Sequence, residues 1–169
     1  MLNSLKDRPI LKITVGGMFV AFGVLSAIFY IPIAIGKCFP IQHLINILTA
    51  IFLGPSWGVG IAFTIAVLRN LLSLGSVLTF SGSMVGAFFA ALLYKMYNKK
   101  KYAYLGEAIG GIIGGILSGV IASLFLGKNF ALFILILNFI GGSLLGNFLA
   151  IIILETSGLI DILKEKLNG

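Results

Sequence analysis

Charge is what this chain has least of. Only 10% of its 169 residues are Asp, Glu, Lys or Arg, and just five are acidic. Set beside 59% apolar residues and a mean hydropathy of +1.14, that scarcity excludes a water-soluble domain. A single cysteine, Cys38, excludes an internal disulfide and a cysteine-based metal cluster. With one histidine, His43, and no carboxylate expected at its depth, no catalytic triad or general acid–base pair can be assembled. No zinc signature, P-loop or dinucleotide fingerprint is present, and neither a proton relay nor a coupling-ion site is evident. The expectation is a protein that is not an enzyme, holds no cofactor or metal, and has no room for its own nucleotide-binding domain.

What is present is long charge-free runs: 13–36, 44–68, 70–94, 108–127 and 129–154. Each reaches the roughly 20 residues a helix needs to cross about 30 Å of hydrocarbon. Glycine, proline and lysine clusters divide them into six helices, near 11–35, 41–53, 57–74, 82–97, 103–126 and 130–156. The fold expected is an all-α polytopic membrane protein, a single integral domain over 1–169. The basic start followed by an apolar run resembles a signal peptide, but more spans follow, and it is read as a retained first helix. The end, "GLIDILKEKLNG", reads as an amphipathic interfacial segment.

The net charge of +7 reports orientation rather than nucleic-acid binding. Lys6, Arg8, Lys12, Lys95, Lys99–Lys101, Lys164 and Lys166 collect on one side of six spans; only Lys37 and Lys128 fall in loops of the other. By the positive-inside rule, both termini and the "KMYNKKK" loop are cytoplasmic.

That topology gathers the unusual polar residues. Gln42, His43 and Asn46 fall in the first two turns of the short second helix, placed toward the outside, with His43 and Asn46 sharing a face. Arg69 and Asn70 lie about 18 Å along the third helix. Ser73, Ser76, Thr79, Ser81 and Ser83 line a loop and the start of the fourth, and Asn138 sits roughly 12 Å along the sixth. All are expected at one depth beneath the outer surface. The carboxylates Asp7, Glu107, Glu155, Asp161 and Glu165 are all expected near the cytoplasmic side, which leaves Arg69 without an acidic partner. An ionisable group inside a membrane helix marks a functional site by default. The bland alternatives are snorkelling for Arg69, helix-start bonding for His43 and interhelical bonding for Asn138 and Asn147. Phe39, Phe80, Phe88, Phe89 and Phe130 serve either as packing or as ring-stacking walls. Glycine rows at 106, 110, 114 and at 111, 115, 119 let helices approach closely, and Gly17 with Ala21 forms a similar small face on the first helix.

The stretches "PIQHLINILTAIFLGPSWGVGIAF" (40–63), "VLRNLL" (67–72) and "LTFSGSMVGAFFAALLY" (78–94) resemble the ThiW type of substrate-binding S component of energy-coupling factor (ECF) transporters. The resemblance implies an S-component-like bundle in a bacterial cytoplasmic membrane. Its substrate would be a small thiamine precursor of the hydroxyethylthiazole type, captured from outside. Its partners would be a transmembrane coupling subunit and two ATPase subunits, docked through Gly17-x-x-x-Ala21. Substrate-binding residues would be Gln42, His43, Asn46, Arg69, Asn70, Ser81, Ser83 and Asn138. Thiamine or another vitamin is the alternative ligand, and a self-contained channel or scaffold the alternative class.

Overall fold

The computed structural model describes residues 9–33, 36–126 and 131–156. Among the described residues six α-helices are seen: α1 (Pro9–Leu25), α2 (Pro40–Phe52), α3 (Pro55–Leu71), α4 (Leu78–Tyr97), α5 (Lys100–Leu126) and α6 (Ala131–Ile151). A π-helical turn, Ile152–Thr156, extends α6. The basic residues 6, 8, 128, 164 and 166, Phe130 and the "GLIDILKEKLNG" segment lie outside the described residues.

The first helix stops at Leu25, ten residues before the expected end at 35. A 3₁₀ turn, Ser26–Ile28, follows, and then an antiparallel hairpin of β1 (Ile31–Ile33) and β2 (Gly36–Cys38), with Ile31 opposite Cys38. The cause is Pro32, which has no N–H for a helix and pushes Ile31 out of the α region. The other boundaries move by a few residues. Proline starts α2 and α3, where its missing donor costs nothing. Between them Gly54 takes φ +85°, a left-handed turn open to glycine without strain. Helix α4 begins four residues earlier than expected, at Leu78.

Among the described residues four stretches are long and apolar enough to cross a membrane: Pro9–Ile28, Leu78–Tyr97, Lys100–Leu124 and Phe133–Thr156. They make this an all-α membrane protein. Their outward faces carry Ile10, Met18, Leu25, Leu124, Phe133 and Phe148, all well exposed, as suits a hydrocarbon surround. Helix α2 is different. It has 13 residues, and nearly every side chain is buried. Leu44, Ile47 and Ile51 pack on Ala103, Ala150 and Leu154, while Ile45 packs on Ile61 and Ile65. A helix enclosed on all sides is a core element.

Lipid tails are as apolar as leucine, so these helices are held by close packing and hydrogen bonds. The glycine rows of α5 serve two neighbours. A Cβ at Gly110 would lie 2.6 Å from Gly86 Cα and one at Gly114 2.7 Å from Gly82 Cα, both on α4. One at Gly111 would lie 2.9 Å from Ser143 Cβ, on α6. At the lysine-rich end, Lys100 Nζ donates to Leu154 O (3.1 Å) and Glu155 Oε2 (3.2 Å), fastening α5 to the end of α6.

Candidate functional site

Because α2 is short, its first residue starts inside the bundle. His43 lies nine residues before Phe52, about 13 Å from that end of the helix. Glu107 lies seven residues after Lys100, about 10 Å into α5 from the same end of the bundle. The two therefore meet: His43 Nδ1 is 2.6 Å from Glu107 Oε1, with Glu107 fully buried. This corrects two expectations. Glu107 stands in the core, apart from Glu155 at the lysine-rich end, and His43 does have a carboxylate partner at its own depth.

The network around this pair is directional. Asn46 Nδ2 donates to Ser83 O (3.1 Å) and to Glu107 Oε1 (3.2 Å). The Ser83 backbone carbonyl can only accept, so the orientation of the Asn46 amide is fixed. Its Oδ1 then accepts from Gln42 Nε2 at 3.2 Å. The same Glu107 oxygen accepts from Asn46 and faces His43 Nδ1, so the two side chains share it. Ser143 Oγ donates to the Glu107 backbone carbonyl (3.1 Å), and Thr49 Oγ1 to Asn46 O (3.0 Å). The histidine ring is seated by α6. A Cβ at Gly142 would lie 2.7 Å from the ring and one at Gly146 2.5 Å from His43 Cβ. Phe139 stands edge-on to the ring at 6.3 Å between centroids. Two acceptors in this network, Gln42 Oε1 and Glu107 Oε2, have no hydrogen-bond partner among the described residues.

Asn138 is buried one turn before Gly142 on the same helix face, and its Oδ1 also lacks a partner among the described residues. Asn147 Oδ1 is left in the same condition.

Of the remaining predicted residues, Ser83 meets this network through its backbone carbonyl, while Arg69, Asn70 and Ser81 bond elsewhere, so the predicted residues do not form one hydrogen-bonded cluster. Arg69 is fully buried and reaches the end of α1. Its Nε donates to Gly23 O (3.0 Å), and Nη2 donates to the same carbonyl and to Ser26 Oγ (3.0 Å). A guanidinium on the last carbonyls of a helix meets the negative end of its dipole. The Phe39 ring covers it, 5.2 Å from the guanidinium carbon. Asn70 Nδ2 donates to Ala66 O (2.8 Å) and Ser76 O (3.1 Å), shaping the loop after α3. Ser81 Oγ pairs with Ser118 Oγ at 2.7 Å, joining α4 to α5. The Ser83 hydroxyl returns to Thr79 O (2.7 Å), so it is the Ser83 carbonyl that serves the network.

Gly17 and Ala21 face outward. A groove of about 380 Å³ runs beside Gly17 between α1 and α3, lined in part by Gly16, Trp57, Gly60 and Thr64, and it shares no residue with the polar network. Among the described residues no three His, Cys, Asp or Glu side chains cluster as a metal site requires.

Glu107, Ser143 and Thr49 are the members of the network that sequence reasoning missed. A signal was available for Glu107: it lies four residues after Ala103 and four before Gly111, on the small-residue face of α5 rather than the face of Leu105 and Ile112.

A family model described as thiamine-precursor transporter protein (ThiW) matches residues 13–158. No curated protein and no solved structure gives a match.

Proposed function

The chain belongs to the ThiW family of thiamine-precursor transporters, and on that premise we propose that it is the substrate-capture subunit of an ECF-type importer. It binds a small precursor of the hydroxyethylthiazole type from outside and hands it inward, with energy supplied by separate subunits. In this reading the six-helix bundle sits in a bacterial cytoplasmic membrane with the short α2 enclosed within it, and both termini lie in the cytoplasm, a placement supported by Lys95 and Lys99–Lys101 at one end of the bundle.

The observation that carries the proposal is the Gln42–His43–Asn46–Glu107 network in the core. Burying polar groups in a dry bundle is costly unless they are bonded, and this network retains unpartnered acceptors. A scaffold would gain more from apolar packing at these positions. Gln42, His43 and Asn46, with Asn138 one turn from the histidine, form the substrate wall of the proposal. For Arg69, Asn70, Ser81 and Ser83, the bonds to helix ends and loops support a role in holding that wall in place.

The partner surface proposed is the outward face of α1 with the adjoining groove. A Cβ at Gly17 or Gly60 would meet nothing within 4 Å, so a helix of a coupling subunit could approach both backbones closely. Two ATPase subunits would complete the importer.

The direct test titrates the purified protein with hydroxyethylthiazole, the aminopyrimidine half of thiamine, and thiamine, by calorimetry or by Trp57 fluorescence. Saturable binding of a precursor is expected; silence towards all three would sink the reading.

A further inference from the structure

The hydrogen-bond directions in the core constrain the ligand more tightly than the residue types do. Asn46 must present its NH₂ to the Ser83 backbone carbonyl, which can only accept, and the same NH₂ reaches Glu107 Oε1. Its Oδ1 must then accept, so Gln42 must turn its NH₂ inward to Asn46 and keep Oε1 as the free atom. His43 occupies the same Glu107 oxygen, which leaves Oε2 as the free atom of the carboxylate. Gln42 Oε1 is therefore an acceptor that cannot become a donor without breaking bonds within the network, and Glu107 Oε2, as a carboxylate oxygen, is an acceptor too.

We propose that Glu107 is the specificity-determining residue of this site, and that its free carboxylate oxygen takes a hydrogen-bond donor of the ligand, a hydroxyl or an amino group. This rests on the substrate site being the one proposed above. A flat heterocycle offering only a ring nitrogen has nothing for these atoms. A thiazole qualifies through the hydroxyl of its side chain, and an aminopyrimidine through its amino group. The surroundings hold the carboxylate for this task. Ser143 fixes the backbone of Glu107, and the other flank of the carboxylate is Gly86, where a Cβ would lie 2.7 Å from Oε1 and 3.0 Å from Oε2. A side chain at 86 would crowd both carboxylate oxygens; glycine lets α4 lie against the carboxylate without displacing it.

The experiment compares three probes on wild type and variants: hydroxyethylthiazole, its O-methyl ether, and the aminopyrimidine half of thiamine. The ether keeps the ring and loses the donor. Wild type is expected to prefer a donor-bearing probe over the ether by roughly 10- to 100-fold, the range for a hydrogen bond to a charged group. In Glu107→Gln the amide oxygen must face the His43 and Asn46 donors, so an NH₂ replaces the free acceptor. The preference should then collapse, with the loss falling on whichever probe, alcohol or amine, donates to Glu107. Glu107→Asp keeps the charge but draws the carboxylate back, and should lose affinity for the same probe. Thermal melting and size-exclusion profiles establish that the variants fold. A wild-type preference retained in folded Glu107→Gln or Glu107→Asp overturns the assignment and leaves the transport reading intact. Wild type that binds the ether as tightly as the alcohol, and does not bind the aminopyrimidine, overturns it without any variant. Wild type that binds no probe overturns the transport reading and this one with it.

Discussion

Two buried polar centres lie in this bundle, and they are finished in opposite ways. At Arg69 a cation is spread over the end of α1: Gly23 O takes two of its nitrogens, Ser26 a third bond, and the Phe39 ring its face. The nitrogen left without a partner, Nη1, belongs to a charge that the ring and the helix dipole already compensate. At His43 the pairing is between α2 and α5, and what remains open is acceptors, on Gln42 and Glu107. An open acceptor on a buried carboxylate has no aromatic face to substitute for a donor. The first centre thus closes on the protein's own backbone, while the second is left ready for something with a proton to give. Residue type alone would rank them the other way, since arginine is the more conspicuous intruder in a membrane helix.

The sharpest way to break this comparison is His43→Ala. It leaves the Glu107 carboxylate buried without its partner, a loss of about 3–5 kcal/mol for a broken buried pair. Precursor binding and thermal stability in detergent should fall together. A variant that melts like wild type would mean that Glu107 is paired elsewhere.

Arg69→Ala comes next, with an expected cost of about 1–3 kcal/mol from the lost guanidinium bonds to Gly23 O and Ser26 Oγ. Here stability should fall while the affinity of the folded protein for the precursor stays within a few-fold of wild type; a large affinity loss would move Arg69 into the ligand site. Arg69→Lys should rescue only in part, because an ammonium lacks the fork that spans both acceptors. Cys38 offers a second readout at this end. It is buried beside Phe39 in the hairpin, and burial pushes its thiol up to about 11. A raised value keeps the thiol protonated through neutral pH, so maleimide labelling of wild type should be slow and rise about tenfold per pH unit toward 11. In Arg69→Ala, with the hairpin loosened, labelling at neutral pH should be faster.

The smallest effect on stability is expected from Gly17→Leu, within about 0.5 kcal/mol, because position 17 is exposed and a Cβ there meets nothing within 4 Å. Co-purification with a coupling subunit should nonetheless fail. Association that survives Gly17→Leu together with Ala21→Leu would place the docking surface elsewhere.

Much of this architecture was legible along the chain. Charge-free runs mark the long helices, and glycines four apart on α5 announce close neighbours. The hairpin was not read, because the run from Ile13 to Gly36 looks continuous by hydropathy. Pro32 is the residue that forbids a helix there, and its geometry outweighs the hydropathy of its neighbours. Glu107 was misplaced for a different reason. Lysines close by in sequence suggest an interface, yet seven residues of helix carry it about 10 Å inward.

The sequence by itself determined that this is a helical membrane protein and which polar residues are exceptional in it, because hydropathy and helical period accumulate locally, residue by residue. Which of those residues meet was decided only by the tertiary structure. The 13 residues of α2 are too few to reach across the bundle, so His43 begins at the level of Glu107, and the glycines of α4, α5 and α6 set how closely the flanking helices close around them. A contact between residues 64 positions apart depends on that three-dimensional register, and nothing local in the chain encodes it.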